Sequence, residues 1–126
     1  MKLTIHLLED FDYRAGARTV PVVAAISSDT KEVITDKIDL REIMLYRDGQ
    51  EVFGSFIVST MSLPKGTLTI TEHTPIYRLL DAADQDDSEL LPGDYEVKVS
   101  LLVYLPHEDG SYTRKELTAT KPITIR

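Results

Sequence analysis

The clearest alternation of apolar and polar positions runs from Tyr95 to Leu105. The odd positions read Tyr95, Val97, Val99, Leu101, Val103 and Leu105, while the even ones begin Asp94, Glu96, Lys98, Ser100. A period of two places one face of an extended segment in a core and the other in water. The even face turns apolar at Leu102 and Tyr104, so the far end of this strand is expected to be covered on both sides. No other stretch is as long or as regular. It predicts a central strand of an antiparallel β protein.

The same pattern recurs in weaker form. Leu3, Ile5 and Leu7 alternate with Lys2, Thr4 and His6, a first strand. Glu9 to Arg18 is charged and contains Gly16, and reads as a loop or a switch between sheets. In the segment Thr19–Ser27, Val20, Val22, Ala24 and Ile26 share one face. Pro21 has no N–H to donate, which assigns it to a strand start or an edge. Glu32–Leu40 is expected to be a strand interrupted at Asp36-Lys37, and Glu42–Tyr46 alternates less cleanly. Asp48-Gly49 lies between two apolar runs, a strong hairpin signal. The return strand is Glu51–Thr60, with Gly54 a candidate bulge. Leu63-Pro64-Lys65-Gly66 reads as a turn before Thr67–Thr71, where Leu68 and Ile70 point inward.

Glu72–Leu80 is ambiguous. Ile76, Leu79, Leu80 and Ala83 have helical spacing, so a short helical turn closing one end of the core is expected there. After the central strand, Pro106–Ser111 is a loop around Asp109-Gly110. Tyr112–Ala119 is its partner strand, and Pro122–Ile125 is a final short one. Leu117, Ala119, Ile123 and Ile125 share parity, so these two can be one edge strand, with Lys115, Lys121 and Pro122 protecting it. Roughly seven to nine short strands separated by turn signals predict an all-β, antiparallel sandwich. With 126 residues and no linker-like stretch, residues 1–126 read as a single domain.

One motif extends this reading. Leu90-x-Pro92-Gly93-x-Tyr95-x-Val97-x-Val99 resembles the penultimate strand of immunoglobulin-like and fibronectin type III-like sandwiches. The resemblance implies that Leu90, Pro92 and Tyr95 form the structural corner before that strand, with the Tyr hydroxyl bonded to nearby backbone. Lys121-Pro122-Ile123-Thr124-Ile125 is similar to the last strand of such modules, and Pro21–Ile26 to their second. Leu90 stands one residue closer to the Tyr than in the usual fibronectin-type spacing. The absence of Trp and Cys excludes an antibody-type domain. The motif is structural and names no ligand.

Composition narrows the function classes. The chain is 42% hydrophobic, ordinary for a globular protein, and has no cysteine. No disulfide, thiolate nucleophile or cysteine zinc site can form. Lack of cysteine and a start that makes a poor secretory h-region favour a cytoplasmic location over a secreted domain with its signal removed. The formal net charge of −7 argues against nucleic acid and against an anionic membrane surface, and permits a basic partner. No apolar run approaches a membrane span.

Five groups of residues are candidates for function. The acidic stretch containing Asp81, Asp84, Asp86, Asp87, Glu89 and Asp94 offers oxygens for Ca²⁺. Glu89 nevertheless stands where a calcium loop starting at Asp84 needs Gly, and a solvated acidic loop is the plainer reading. His6, His73 and His107 are scattered, without zinc-ligand spacing. His107-Glu108-Asp109-Gly110-Ser111 holds the residue types of a hydrolase triad, but neighbours in one turn cannot face each other as base and nucleophile must. Glycine-rich phosphate loops and nucleophile elbows are absent, so no enzyme and no cofactor is expected. Tyr104 and Tyr112 flank the last loop and are set to lie across a hairpin. Phe11, Tyr13, Phe53 and Phe56 form either part of the core or an exposed patch.

The function expected from sequence is a non-catalytic protein-binding or assembly module that presents loops or an edge strand to a protein partner. The binding residues expected are His107, Glu108, Asp109, Tyr104 and Tyr112, with the acidic 81–89 loop beside them. A Ca²⁺- or carbohydrate-binding module and a protease inhibitor are the alternatives.

Overall fold

The computed structural model describes residues 1–83 and 89–126, apart from the side chains of residues 36 and 56–66. Among the described residues the secondary structure is entirely β. The strands are β1 (Lys2–His6), β2 (Thr19–Ser27), β3 (Glu32–Arg47), β4 (Gln50–Ile70), β5 (Ile76–Ala83), β6 (Gly93–Pro106) and β7 (Tyr112–Ile125). They form a three-stranded sheet in the order β1-β2-β5 and a four-stranded sheet in the order β4-β3-β6-β7. Every pairing is antiparallel.

One hydrophobic cluster draws on both sheets. Ile5, Val22, Ile26 and Leu80 come from the smaller sheet, and Ile38, Leu45, Val97 and Leu101 from the larger. β6 is a central strand, flanked by β3 and β7. Tyr95, Val97, Val99, Leu101 and Val103 are all buried, as their alternation predicts. Cover on the even face begins earlier than expected. Ser100 is buried, its Oγ 3.1 Å from Thr118 Oγ1.

The two weak segments 32–40 and 42–46 are one strand. Register shifts between Thr35 and Lys37 and between Leu40 and Glu42 explain why their alternation fails. Core residues are even-numbered at Ile38 and Leu40 and odd-numbered at Ile43 and Leu45. An extra residue in a bulge flips the parity of everything after it. The turn expected at 63–66 lies inside β4 instead. Thr35 pairs with Thr67 and Lys37 with Ser62, so the extra residues are absorbed as a register irregularity.

Glycine is required at two turns or close approaches. Asp48 and Gly49 both have positive φ (53° and 78°), the type I′ pattern that suits a two-residue hairpin. Gly54 has φ 137°, and a Cβ there would sit 2.2 Å from the Ile43 carbonyl oxygen. Gly54 keeps regular pairing with Met44, so it is not itself the bulge; the local register shift falls between Leu45 and Tyr46, which skip Val52.

One other expectation is corrected and two are refined. Glu72–Leu80 contains no helical turn, because Ile76–Ala83 is extended and pairs with β2 from Thr19 to Ile26. Pro21 lies within a central strand, but β1 pairs with β2 only as far as Val23. N–H and C=O of one strand residue point to the same side, and the Pro21 carbonyl accepts the Tyr13 hydroxyl at 2.7 Å. The missing N–H therefore falls where no strand needs it. Tyr13 also accepts from the Leu8 amide at 3.0 Å. Tyr13 and Phe53 are buried while Phe11 is exposed, so these rings make no common exposed patch, and the side chain of residue 56 lies outside the description. The segment between β1 and β2 does bridge the sheets: Ala15 N–H bonds Arg126 O, Arg126 N–H bonds Tyr13 O, and Gly16 N–H bonds Leu90 O.

Candidate functional site

The loop singled out in the sequence is closed on itself. His107 N–H donates to Ser111 O at 2.9 Å, and Gly110 N–H to His107 O at 3.1 Å. Asp109 accepts from the Ser111 amide at 2.9 Å and from its hydroxyl at 2.6 Å. Those two bonds, the hydroxyl's first, hold the Asp109 carboxyl below its ordinary range. His107 Nε2 is hydrogen-bonded to Thr113 Oγ1. His107 and Asp109 thus spend their polar groups on the turn, and Glu108 is exposed beside them.

Tyr104 and Tyr112 do come together, edge to face, with centroids 6.4 Å apart. The Tyr104 hydroxyl donates to Asp39, and Lys37 Nζ lies 5.2 Å from its ring centroid. The hydrogen bond to Asp39 raises the Tyr104 pKa. Thr35, Lys37 and the two tyrosines line a hollow of about 270 Å³.

A second cluster, at the opposite end of this sheet face, has no counterpart in the sequence reading. Glu42 is buried on the outward side of β3. One oxygen accepts the Tyr46 hydroxyl, and the other lies 3.3 Å from Lys98 Nζ. Burial, then the Glu42 hydrogen bond, pushes the Tyr46 phenol far above its ordinary range. Tyr46, Lys98, Glu96 and Pro122 help to line a cleft of about 650 Å³. Glu42 and Tyr46 share parity beyond the bulge, and Lys98 is on the outward face of β6, so only the register could have revealed the group. Both Glu42 oxygens are engaged, and the cleft mixes Arg47 and Lys98 with Asp48, Asp94 and Glu96, so it selects no single charge of ligand.

At the start of β6 the Tyr95 hydroxyl donates to Leu91 O at 2.6 Å. The Arg47 guanidinium stacks 5.5 Å from the Tyr95 centroid, and a Cβ on Gly93 would meet it at 3.0 Å. Leu90 is buried and Pro92 exposed. Asp84, Asp86 and Asp87 lie outside the described residues. Among those described, no three His, Asp or Glu side chains cluster as a metal site would require.

Of the seven large hydrophobic side chains exposed among the described residues, two stand together on β5. Tyr77 and Leu79 are 59% and 62% exposed. They point outward while Leu80 and Ala82 fill the core. Their neighbours across the ladder on β2 are Val23, half-buried beside Leu79, and Ala25, buried beside Tyr77. β5 is an edge strand, hydrogen-bonded to β2 on one side. On the other side the Ala83 carbonyl accepts from Ser55 Oγ at 2.9 Å. Between Ile76 and Ala83 there is no Lys and no Pro. The helical reading of 76–83 concealed this patch, because a helix would have turned Leu79 inward beside Leu80.

Comparison of the chain with protein-family models, with curated proteins and with solved structures finds no match.

Proposed function

We propose that this chain is an immunoglobulin-like, non-catalytic module that docks a protein partner on the open edge of β5. The observation that carries the reading is the pair Tyr77 and Leu79, two large side chains mostly exposed on one face of an edge strand. An edge offers a row of unpaired backbone donors and acceptors, and alternate side chains supply specificity. Large exposed apolar groups gathered in one place mark interaction surfaces. The immunoglobulin-like part of the reading is supported by the division of strands into β1-β2-β5 and β4-β3-β6-β7 and by the Tyr95 hydroxyl bond to Leu91.

Affinity purification from the source cell tests the proposal. A partner retained by the wild-type chain should be lost with Leu79→Lys and kept with Tyr112→Ser. Retention of every partner by Leu79→Lys contradicts it.

A further inference from the structure

We infer that the strand added to β5 comes from a different protein, runs antiparallel, and carries the pattern basic–x–apolar–acidic–apolar from its N-terminal end. This rests on the edge-docking reading above and specifies its partner.

The charges on β5 lead to this pattern. Tyr77, Leu79 and Asp81 face outward, and Ile76, Arg78, Leu80 and Ala82 have the parity of the core. The side chains of Arg78 and Asp81 take part in no ion pair or hydrogen bond among the described residues. In an antiparallel pair, directly opposed residues lie on the same face, and opposite charges there are favourable while like charges are not. Antiparallel pairing also matches the existing β2–β5 ladder. Reading the incoming strand forward therefore reads β5 backward. A basic residue meets Asp81, a small or apolar one meets Leu80, an apolar one meets Leu79, an acidic one meets Arg78, and an apolar one meets Tyr77.

A second copy of this chain does not meet these requirements. Two β5 edges pair about a two-fold axis, and the axis must pass through a residue. An axis between residues would oppose a core-facing side chain to an outward one. Through Arg78, the axis sets guanidinium against guanidinium. Through Leu79, it sets Asp81 against Tyr77 and Arg78 against Leu80. Through Leu80, it sets Asp81 against Leu79 and Arg78 against Ala82. Each of these three registers, the ones centred on the strand, opposes like charges or leaves both charges facing uncharged side chains. The net charge of −7 adds repulsion between copies and attraction for a basic partner.

The test uses the full chain and two capped synthetic peptides, Thr-Lys-Thr-Val-Glu-Val-Thr and its charge-swapped form Thr-Glu-Thr-Val-Lys-Val-Thr. Binding is followed by amide chemical shifts. The first peptide should perturb β5 amides and bind at least about tenfold more tightly than the second. The double variant Arg78→Glu with Asp81→Lys should reverse the preference, and Asp81→Asn alone should reduce it. Equal binding of both peptides at β5 overturns the pairing rule and leaves edge docking standing. Failure of both peptides to perturb β5, while Leu79→Lys still abolishes partner capture, also overturns the inference alone. A peptide-free dimer in sedimentation that Leu79→Lys dissociates assigns the edge to a second copy and overturns it too.

Discussion

β5 and β7 are both edge strands, and they treat exposure differently. On β7 the core-facing parity contains Leu117, Ala119, Ile123 and Ile125, but it also contains Lys115 and Lys121, both exposed. Charges at inward-pointing positions of an edge block a neighbour from extending the core, and Pro122 removes a backbone donor. The outward side chains of β7 are Tyr112 at its start, then Arg114, Glu116 and three threonines beside Pro122. β5 carries one inward-parity charge, Arg78, and turns Tyr77 and Leu79 to solvent. One edge carries two inward-parity lysines and a proline that disfavour a further strand. The other is open, with charges that select what may pair. Exposure alone does not separate them, since Tyr112 on β7 is 60% exposed and Tyr77 on β5 is 59% exposed. The surroundings separate them. Tyr112 packs against Tyr104 at a hairpin end, whereas Tyr77 stands beside Leu79 on a β-edge.

The largest expected effect divides adjacent residues of β5. Leu80→Ala should cost about 2–4 kcal/mol, the usual range for truncating a buried leucine, seen as a lower denaturant midpoint. Leu79→Lys should change stability by less than about 0.5 kcal/mol while removing partner capture. Comparable losses of stability in the two variants would mean that Leu79 is a core residue and β5 no docking edge.

Lys98→Met comes next. It leaves the buried Glu42 carboxylate with Tyr46 alone. The expected cost is about 1–2 kcal/mol, less than for a fully buried pair because Lys98 keeps part of its surface in water. Partner capture should be unaffected, which separates the outward face of the four-stranded sheet from the docking edge. A loss of binding with the fold intact would transfer the site to that face.

Unblocking β7 should have a smaller effect on stability and a visible one on association. Lys115→Val with Lys121→Val should leave the denaturation midpoint nearly unchanged and produce concentration-dependent association in sedimentation velocity. A monomer at all concentrations would show that the two lysines do not guard that edge.

The smallest effect is at alkaline pH. Tyr46 and Tyr104 hold their protons more tightly than ordinary tyrosines, Tyr46 through burial and then Glu42, Tyr104 through Asp39 first. A folded-state pKa above the unfolded one gives stability that is fully present below the unfolded value of about 10 and lost as pH rises through the folded values. Stability measured from pH 9 to 11 should therefore fall. The fall should be shallower in Tyr46→Phe and Tyr104→Phe, with β5 docking at neutral pH unchanged.

Much of the architecture was legible in the alternation of side chains. The strands around Leu3–Ile5, Val20–Ile26 and Tyr95–Val103 each have a regular period, and the Asp48-Gly49 hairpin has its own turn chemistry. What escaped has physical causes. The bulges in β3 invert parity between Leu40 and Ile43, so one long strand looks like two poor ones. A partly exposed edge strand need not alternate cleanly, and Ile76, Leu79, Leu80 and Ala83 fit a helical period better than a strand's. That misreading hid Tyr77 and Leu79. The loop residues His107 and Asp109 drew notice for their chemistry, yet a tight turn uses such groups to satisfy its own backbone and side chains.

Site-specific photo-crosslinking compares the two edges on equal terms. Benzoylphenylalanine in place of Tyr77 or of Tyr112 puts the same reactive group at two equally exposed positions. Irradiation in the source cell should yield a discrete adduct with another protein from position 77 and none from position 112. An adduct from position 112 with none from position 77 would contradict the assignment of β5 as the docking edge.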